Sequence, residues 1–299
     1  MLNLLRMELR KIFRDKGLYI TLAVFLGILV IAVVSLKLVT DPQLTQKASS
    51  SKPALTQKAV SAGFELDASD LQDGQEFISS TKYEFLGNLL FSGGLMVSFA
   101  AVLSSLMCCQ DFSTGFAKNI FSFYPRRMDY LLSKLAAVSI VTGFFMLVLT
   151  LLSLGLLWAF GFSNPLGDPV QLLFMLLTGW AALTALIGQN LLFCMMTRSV
   201  WISILLSLVC GFGTVPGLLQ LFLGAWDLSV GKLFPSYLAM TAPYVTGSES
   251  FSLSSSLLLS LLGNESPELN PLFSVFVSFV WILIYLLLAS RVLNKKDIC

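Results

Sequence analysis

From residue 135 to 161 the chain carries no charged side chain, and the same holds for 18–36, 85–110, 170–197, 199–226 and 271–290. A helix needs roughly 20 apolar residues to cross a hydrocarbon core of about 30 Å, so these runs are read as membrane spans. Composition agrees. The chain is 56% hydrophobic and 12% charged, with a mean hydropathy of +0.82, whereas soluble domains carry about 25% charge. Too little charge remains to cover a globule, and lipid must solvate much of the surface. The expected fold is an all-α polytopic membrane protein with six spans.

The division that follows has an amphipathic helix at 1–16 and spans at 17–39, 85–110, 131–162, 170–197, 199–226 and 271–291. Outer segments lie at 40–84 and 227–270, a cytoplasmic loop at 111–130 and a tail at 292–299. The turn SNPLGDP at 163–169 separates spans three and four, and the lone charge Arg198 marks a hairpin between spans four and five. The first apolar run is too long for a signal-peptide core and is followed by no small-residue cleavage site, so it is read as retained.

Lys and Arg set the orientation. With both termini cytoplasmic, the inner segments hold Arg6, Arg10, Lys11, Arg14, Lys16, Lys118, Arg126, Arg127, Lys134, Arg198, Arg291, Lys295 and Lys296. The outer segments hold only Lys37, Lys47, Lys52, Lys58, Lys82 and Lys232, which accounts for all 19 basic residues. Before the first span, Leu2, Leu5, Leu9, Ile12 and Phe13 repeat at helical spacing, with Arg6, Arg10 and Arg14 on a neighbouring stripe. That pattern predicts a basic amphipathic helix lying in the cytoplasmic interface. The outer segment 40–84 repeats LTQKA twice, too few copies for a repeat architecture. In 227–270 the apolar pieces 233–238 and 251–262 are too short to span. Short helices dipping into the outer leaflet are expected there, with a soluble cap as the alternative.

Several chemistries are excluded. The chain has no His, which removes imidazole metal sites and His-based triads, and no metal or catalytic site is expected. It has no GxxxxGK[ST] loop, so it is not expected to bind or hydrolyse ATP itself. A net charge of +2 is too small to suggest nucleic acid. The five Cys lie in apolar runs or at the terminus and are read as buried thiols. Spans almost free of ionisable residues disfavour an ion relay. Two features at membrane depth stand out. Gln189 and Asn190 suit a substrate path or, more commonly, interhelical hydrogen bonding. GFGTVPG at 211–217, with Gly213 and Pro216, suits a hinge or kink.

The first cytoplasmic loop carries the most specific pattern. Asp111 closes span two, and Gly115, Lys118-Asn119, Pro125-Arg126-Arg127 and Tyr130-Leu131-Leu132-Ser133-Lys134 follow. This arrangement resembles the permease subunits of type-2 ABC exporters, particularly those of Gram-positive bacteria. The acid is Asp111 where that family usually has Glu, and Phe116 follows the Gly where Thr is common. The resemblance implies an elbow helix, six spans, and a short coupling helix that docks a separate ATPase. Phe116 and Ile120, at i and i+4, would present its apolar face. Lys118 and Asn119 would make polar contacts, and Gly115 and Pro125 would bound the helix. It also implies two ATPase subunits holding the ATP and Mg, a second permease chain (identical or paralogous), and location in a bacterial plasma membrane. An amphipathic or hydrophobic cargo suits the uncharged, Phe-rich spans. The alternative is a membrane sensor or assembly protein that docks a cytoplasmic partner without transport.

Overall fold

The computed structural model describes residues 2–40, 81–113, 127–162, 164–223, 233–243 and 271–295, and all its regular elements there are helical. Helix α1 (Leu2–Arg14) is separated from α2 (Lys16–Thr40) by Asp15 alone. A short α3 (Lys82–Gly87) runs through a π-helical turn (Asn88–Ser92) toward α4 (Leu95–Ser113). The long α5 (Arg127–Ala159) and α6 (Pro169–Thr197) follow. Then come α7 (Val200–Gly211), α8 (Thr214–Leu223), the short α9 (Pro235–Met240) and α10 (Pro271–Lys295). Five described helices are long and apolar enough to cross a membrane, namely α2, α4, α5, α6 and α10. The all-α membrane fold expected from the apolar runs is therefore present. The run expected as one fifth span is divided between α7 and α8.

Local chemistry sets the helix ends. Thr81 and Glu84 cap α3 reciprocally, Thr81 Oγ1 accepting from the Glu84 amide at 3.3 Å and Glu84 Oε2 from the Thr81 amide at 3.0 Å. Asp168 accepts from the Val170 amide at 3.0 Å, and Pro169 starts α6 where its missing N–H costs nothing. The single-charge hairpin resolves as Arg198 in the left-handed region, φ 54°, its amide bonded to the Cys194 carbonyl at 2.9 Å.

Helix α6 is the centre of the bundle, packed by α4, α5, α7, α9 and α10. Its glycines admit neighbouring rings: a Cβ at Gly179 would meet the Phe91 ring at 2.3 Å, and one at Gly143 of α5 would meet Trp180 Nε1 at 2.8 Å. Trp180 Nε1 donates to the Ser139 carbonyl at 3.0 Å. All of α9 is buried against α6 and α10. Outward faces are apolar, and the most exposed rings, Trp158 and Trp201, belong to the last turn of α5 and the first turn of α7. Trp concentrates at membrane–water boundaries, and both positions fit that preference. Residues 41–80 and 244–270, expected as outer segments, lie outside the described residues.

The glycine contacts make a paired prediction. Gly179→Val should overpack the Phe91 contact and cost about 1–3 kcal/mol, lowering the thermal midpoint of the purified chain in detergent. Gly155 in exposed α5 has nothing within 4 Å of a built Cβ, so Gly155→Ala should leave the midpoint unchanged or raise it. Equal midpoints for the two variants would refute the packing.

Candidate functional site

Charge gathers where α1, α4 and α5 meet. Helix α1 docks with Leu4, Glu8 and Ile12, at successive i+4 positions, all buried. Of the apolar stripe expected there, Ile12 is buried and Leu5 and Leu9 pack against the core, whereas Phe13 is exposed and the central buried residue is an acid. Glu8 is fully buried, as are Asp111 near the end of α4 and Lys134 in the second turn of α5. Lys134 Nζ donates to Glu8 Oε2 at 2.9 Å and to Asp111 Oδ2 at 2.5 Å. Lys11, also on α1, donates to Asp111 Oδ1. Tyr130, one turn before Lys134, donates its hydroxyl to Asp111 Oδ2 at 2.9 Å. Its ring centroid lies 6.0 Å from Lys134 Nζ.

Two carboxylates thus face two ammonium groups, and the local formal charge is zero. An isolated charge in such a setting would carry a desolvation penalty of several kcal/mol, which good geometry and added hydrogen bonds offset. The arrangement therefore adds little net stability but penalises loss of any one member. Its specificity is positional. Asp111 and Lys134 stand just before and just after residues 114–126, while Glu8 and Lys11 belong to the elbow. One ion cluster ties the elbow to both flanks of that segment.

Among the residues singled out from sequence, Asp111 and Lys134 come together here. Tyr130, part of the same motif, joins them, as do Glu8 and Lys11, which were not singled out as site residues. An acid at i+4 from Leu4 and i−4 from Ile12, inside the apolar stripe, was the available signal. Gly115, Phe116, Lys118, Asn119, Ile120, Pro125 and Arg126 lie outside the described residues, and Arg127 opens α5. Arg6, Arg10 and Arg14 are exposed on the side of α1 away from the cluster.

A second polar group lies about 10 Å from the same end of α6, seven residues before its close. Asn190 Nδ2 donates to the Ala101 carbonyl at 3.0 Å, Ser104 Oγ at 2.5 Å and Ser105 Oγ at 2.8 Å. Ser203 Oγ of α7 donates to Asn190 Oδ1 at 2.8 Å. One buried amide therefore joins α4, α6 and α7, while Gln189 is half-buried beside it. Nearby, Cys109 of α4 and Cys194 of α6 form a disulfide with Cα–Cα 5.4 Å, against the expectation of thiols. Their pairing depends on helix packing, which no loop pattern announces.

The breaks in the apolar runs also meet. Gly93-Gly94 ends the π-helical turn before α4, and Phe212-Gly213 separates α7 from α8, with Gly94 at φ 73° and Gly213 at φ 74°. The Phe212 ring sits where a Gly94 Cβ would be, 2.3 Å from Cε1. Pro216 falls in the first turn of α8, where its backbone nitrogen has no helical partner in any case. The helix is thus broken at Gly213, and Pro216 lies in the first turn of the new helix.

These features define a polytopic α-helical membrane protein whose amphipathic first helix is ion-locked onto the ends of two spans. The description ABC-2 family transporter protein matches residues 4–214, a stretch that contains the elbow, the ion cluster and the paired breaks. The chain belongs to this family, whose members are membrane components of ABC transport and work with an ATPase subunit. No match was found among curated proteins or among solved structures.

The ion cluster predicts strong non-additivity. Lys134→Met leaves two buried carboxylates and should cost about 3–5 kcal/mol. Adding Glu8→Gln and Asp111→Asn should recover most of that loss, since no buried charge then stands alone. Denaturation midpoints in detergent measure both. A Lys134→Met protein as stable as wild type would show that these charges are not buried together.

Proposed function

We propose that this chain is the permease subunit of an ATP-driven exporter, coupled through residues 114–126 to a separate ATPase. The observation that carries the proposal is the sharing of Asp111 and Lys134, the flanks of that segment, with Glu8 and Lys11 of the elbow. A force applied to the segment reaches three helices at once, because none can shift without exposing a buried charge. The ATPase binds the ATP and Mg, and this chain contributes the membrane path. In this reading Phe116 and Ile120 dock into the ATPase, with Lys118, Asn119, Arg126 and Arg127 making polar contacts and Gly115 and Pro125 bounding the helix.

The further elements follow from the same reading. Helices α7 and α8 together make the fifth crossing, broken at Gly213, which gives six spans with both termini cytoplasmic. The breaks at Gly94 and Gly213 are where the path bends, since backbone freed from helical bonding is tolerated at membrane depth only when buried in protein or lining a cavity. Two permease chains and two ATPases form the working unit in a bacterial plasma membrane, with an amphipathic or hydrophobic cargo.

The test is co-purification with a Walker-motif ATPase, sought first among the genes beside the one encoding this chain. The permease alone should hydrolyse no ATP, and the complex should hydrolyse it at a rate different from the free ATPase. Substituting Phe116→Asp and Ile120→Asp should abolish both assembly and that change in rate. A double variant that assembles and hydrolyses like wild type would remove residues 114–126 from coupling and favour the sensor or assembly role.

A further inference from the structure

The face of α1 turned away from the protein takes no part in the ion cluster. Residues of a helix are spaced at 3.6 per turn, so Arg6, Arg10 and Arg14 form one stripe, advancing about 6 Å at each step. That stripe lies opposite Leu4, Glu8 and Ile12. All three arginines are exposed, and none forms an ion pair among the described residues. Lys16, also exposed, extends the positive face toward α2. The stripe is bordered by apolar side chains in the open: Phe13 at 44% exposure on one side and Met7 at 38% on the other.

The level of this face's Arg14 end follows from its link to α2. The Tyr19 hydroxyl, from the first turn of that span, donates to the Phe13 carbonyl in the last turn of α1 at 2.9 Å. Tyr19 and Ile20 are themselves exposed, as residues meeting lipid would be. The end of α1 is therefore level with the start of an apolar span, where Tyr is favoured at the membrane–water boundary. Arg at that level meets phosphate, which its planar fork binds through paired hydrogen bonds. We propose that the Arg6, Arg10 and Arg14 face of α1 binds the headgroups of anionic phospholipids. An acidic protein surface offers the same charge complementarity. It would leave Met7 and Phe13 in water, whereas a lipid surface accepts them between headgroup and acyl chain. Since the opposite face of α1 carries Glu8 and Lys11, lipid charge and the ion cluster act on two sides of one rigid helix.

The experiment uses the full chain in mixed micelles of phosphatidylglycerol and phosphatidylcholine in equal amounts, with retained lipids counted by native mass spectrometry. Each basic residue near an anionic surface contributes roughly a fivefold preference, so wild type should retain phosphatidylglycerol at least about tenfold over phosphatidylcholine. The variant R6Q/R10Q/R14Q should fall toward equal retention, and R6K/R10K/R14K should keep part of the preference. Wild type carries its own control: the preference should collapse at about 1 M salt, where the screening length is about 3 Å. Equal retention of both lipids by wild type overturns the proposal without reference to any variant. It is also overturned if the glutamine variant keeps the preference and instead loses the ATPase, which would give the stripe to that protein.

Discussion

Everything where α1, α4 and α5 meet depends on keeping Lys134 neutralised. At an effective dielectric of about 20, opposite charges about 4 Å apart attract by about 4 kcal/mol, against about 1 kcal/mol in water. Glu8, Lys134 and Asp111 are almost completely shielded from solvent, so the low-dielectric case applies to them. Lys11 is partly exposed and closes the cluster toward water. This gradient explains why the elbow docks where it does. An apolar stripe of Leu4 and Ile12 would accept many registers along α5, but Glu8 has one cation to meet. Hydrophobic burial supplies affinity between the helices, and the ion pair fixes their register.

The membrane part of the bundle obeys a related constraint. Lipid offers backbone groups no partners, so helices must remain continuous unless protein surrounds the gap. The two internal breaks sit in close packing. Gly94 has no side chain because the Phe212 ring occupies that space, and a Cβ on Gly211 would meet Val97 at 2.8 Å. The two breaks thus protect one another. Asn190 serves the next layer inward, with its carbonyl and amide both engaged by neighbouring helices. Interhelical bonds of this kind contribute about 0.6–2 kcal/mol each, enough to select one packing of α4 and α7 on α6 among several of similar apolar fit.

Uncharged runs of helical length are hard to disguise: α6, expected over 170–197, is Pro169–Thr197, while the runs 85–110 and 199–226 are each interrupted at glycines. The lone Arg198 between two such runs was a sufficient turn signal because a left-handed residue closes a helix in one step. What periodicity could not supply was partnership. Asp111 and Lys134 stand out as charges at span ends and pair directly, yet Lys134 also binds Glu8, more than a hundred residues away in the chain. Glu8 itself was masked by the arginines beside it, which dominate any reading of the elbow as simply basic. The Cys109–Cys194 disulfide was missed for the same reason, being a consequence of α4 packing on α6. Within GFGTVPG the helix is interrupted at Gly213, and Pro216 falls in the first turn of the helix that follows.

The elbow therefore reads as a beam with two working faces. Its inner face is committed to α4 and α5 by charges that cannot be exposed singly, and its outer face carries three arginines with nothing of the described protein to meet. In the proposed cycle, movement of residues 114–126 displaces Asp111 and Lys134 together, because they flank the same segment and share one carboxylate–ammonium contact. Glu8 and Lys11 must follow, since the cost of leaving a buried charge unpaired, about 3–5 kcal/mol, exceeds that of moving a helix held to lipid by screened contacts. The weaker face slides and the stronger face holds. That ordering of strengths is what would let α1 carry motion from the loop to the first span without letting go of either.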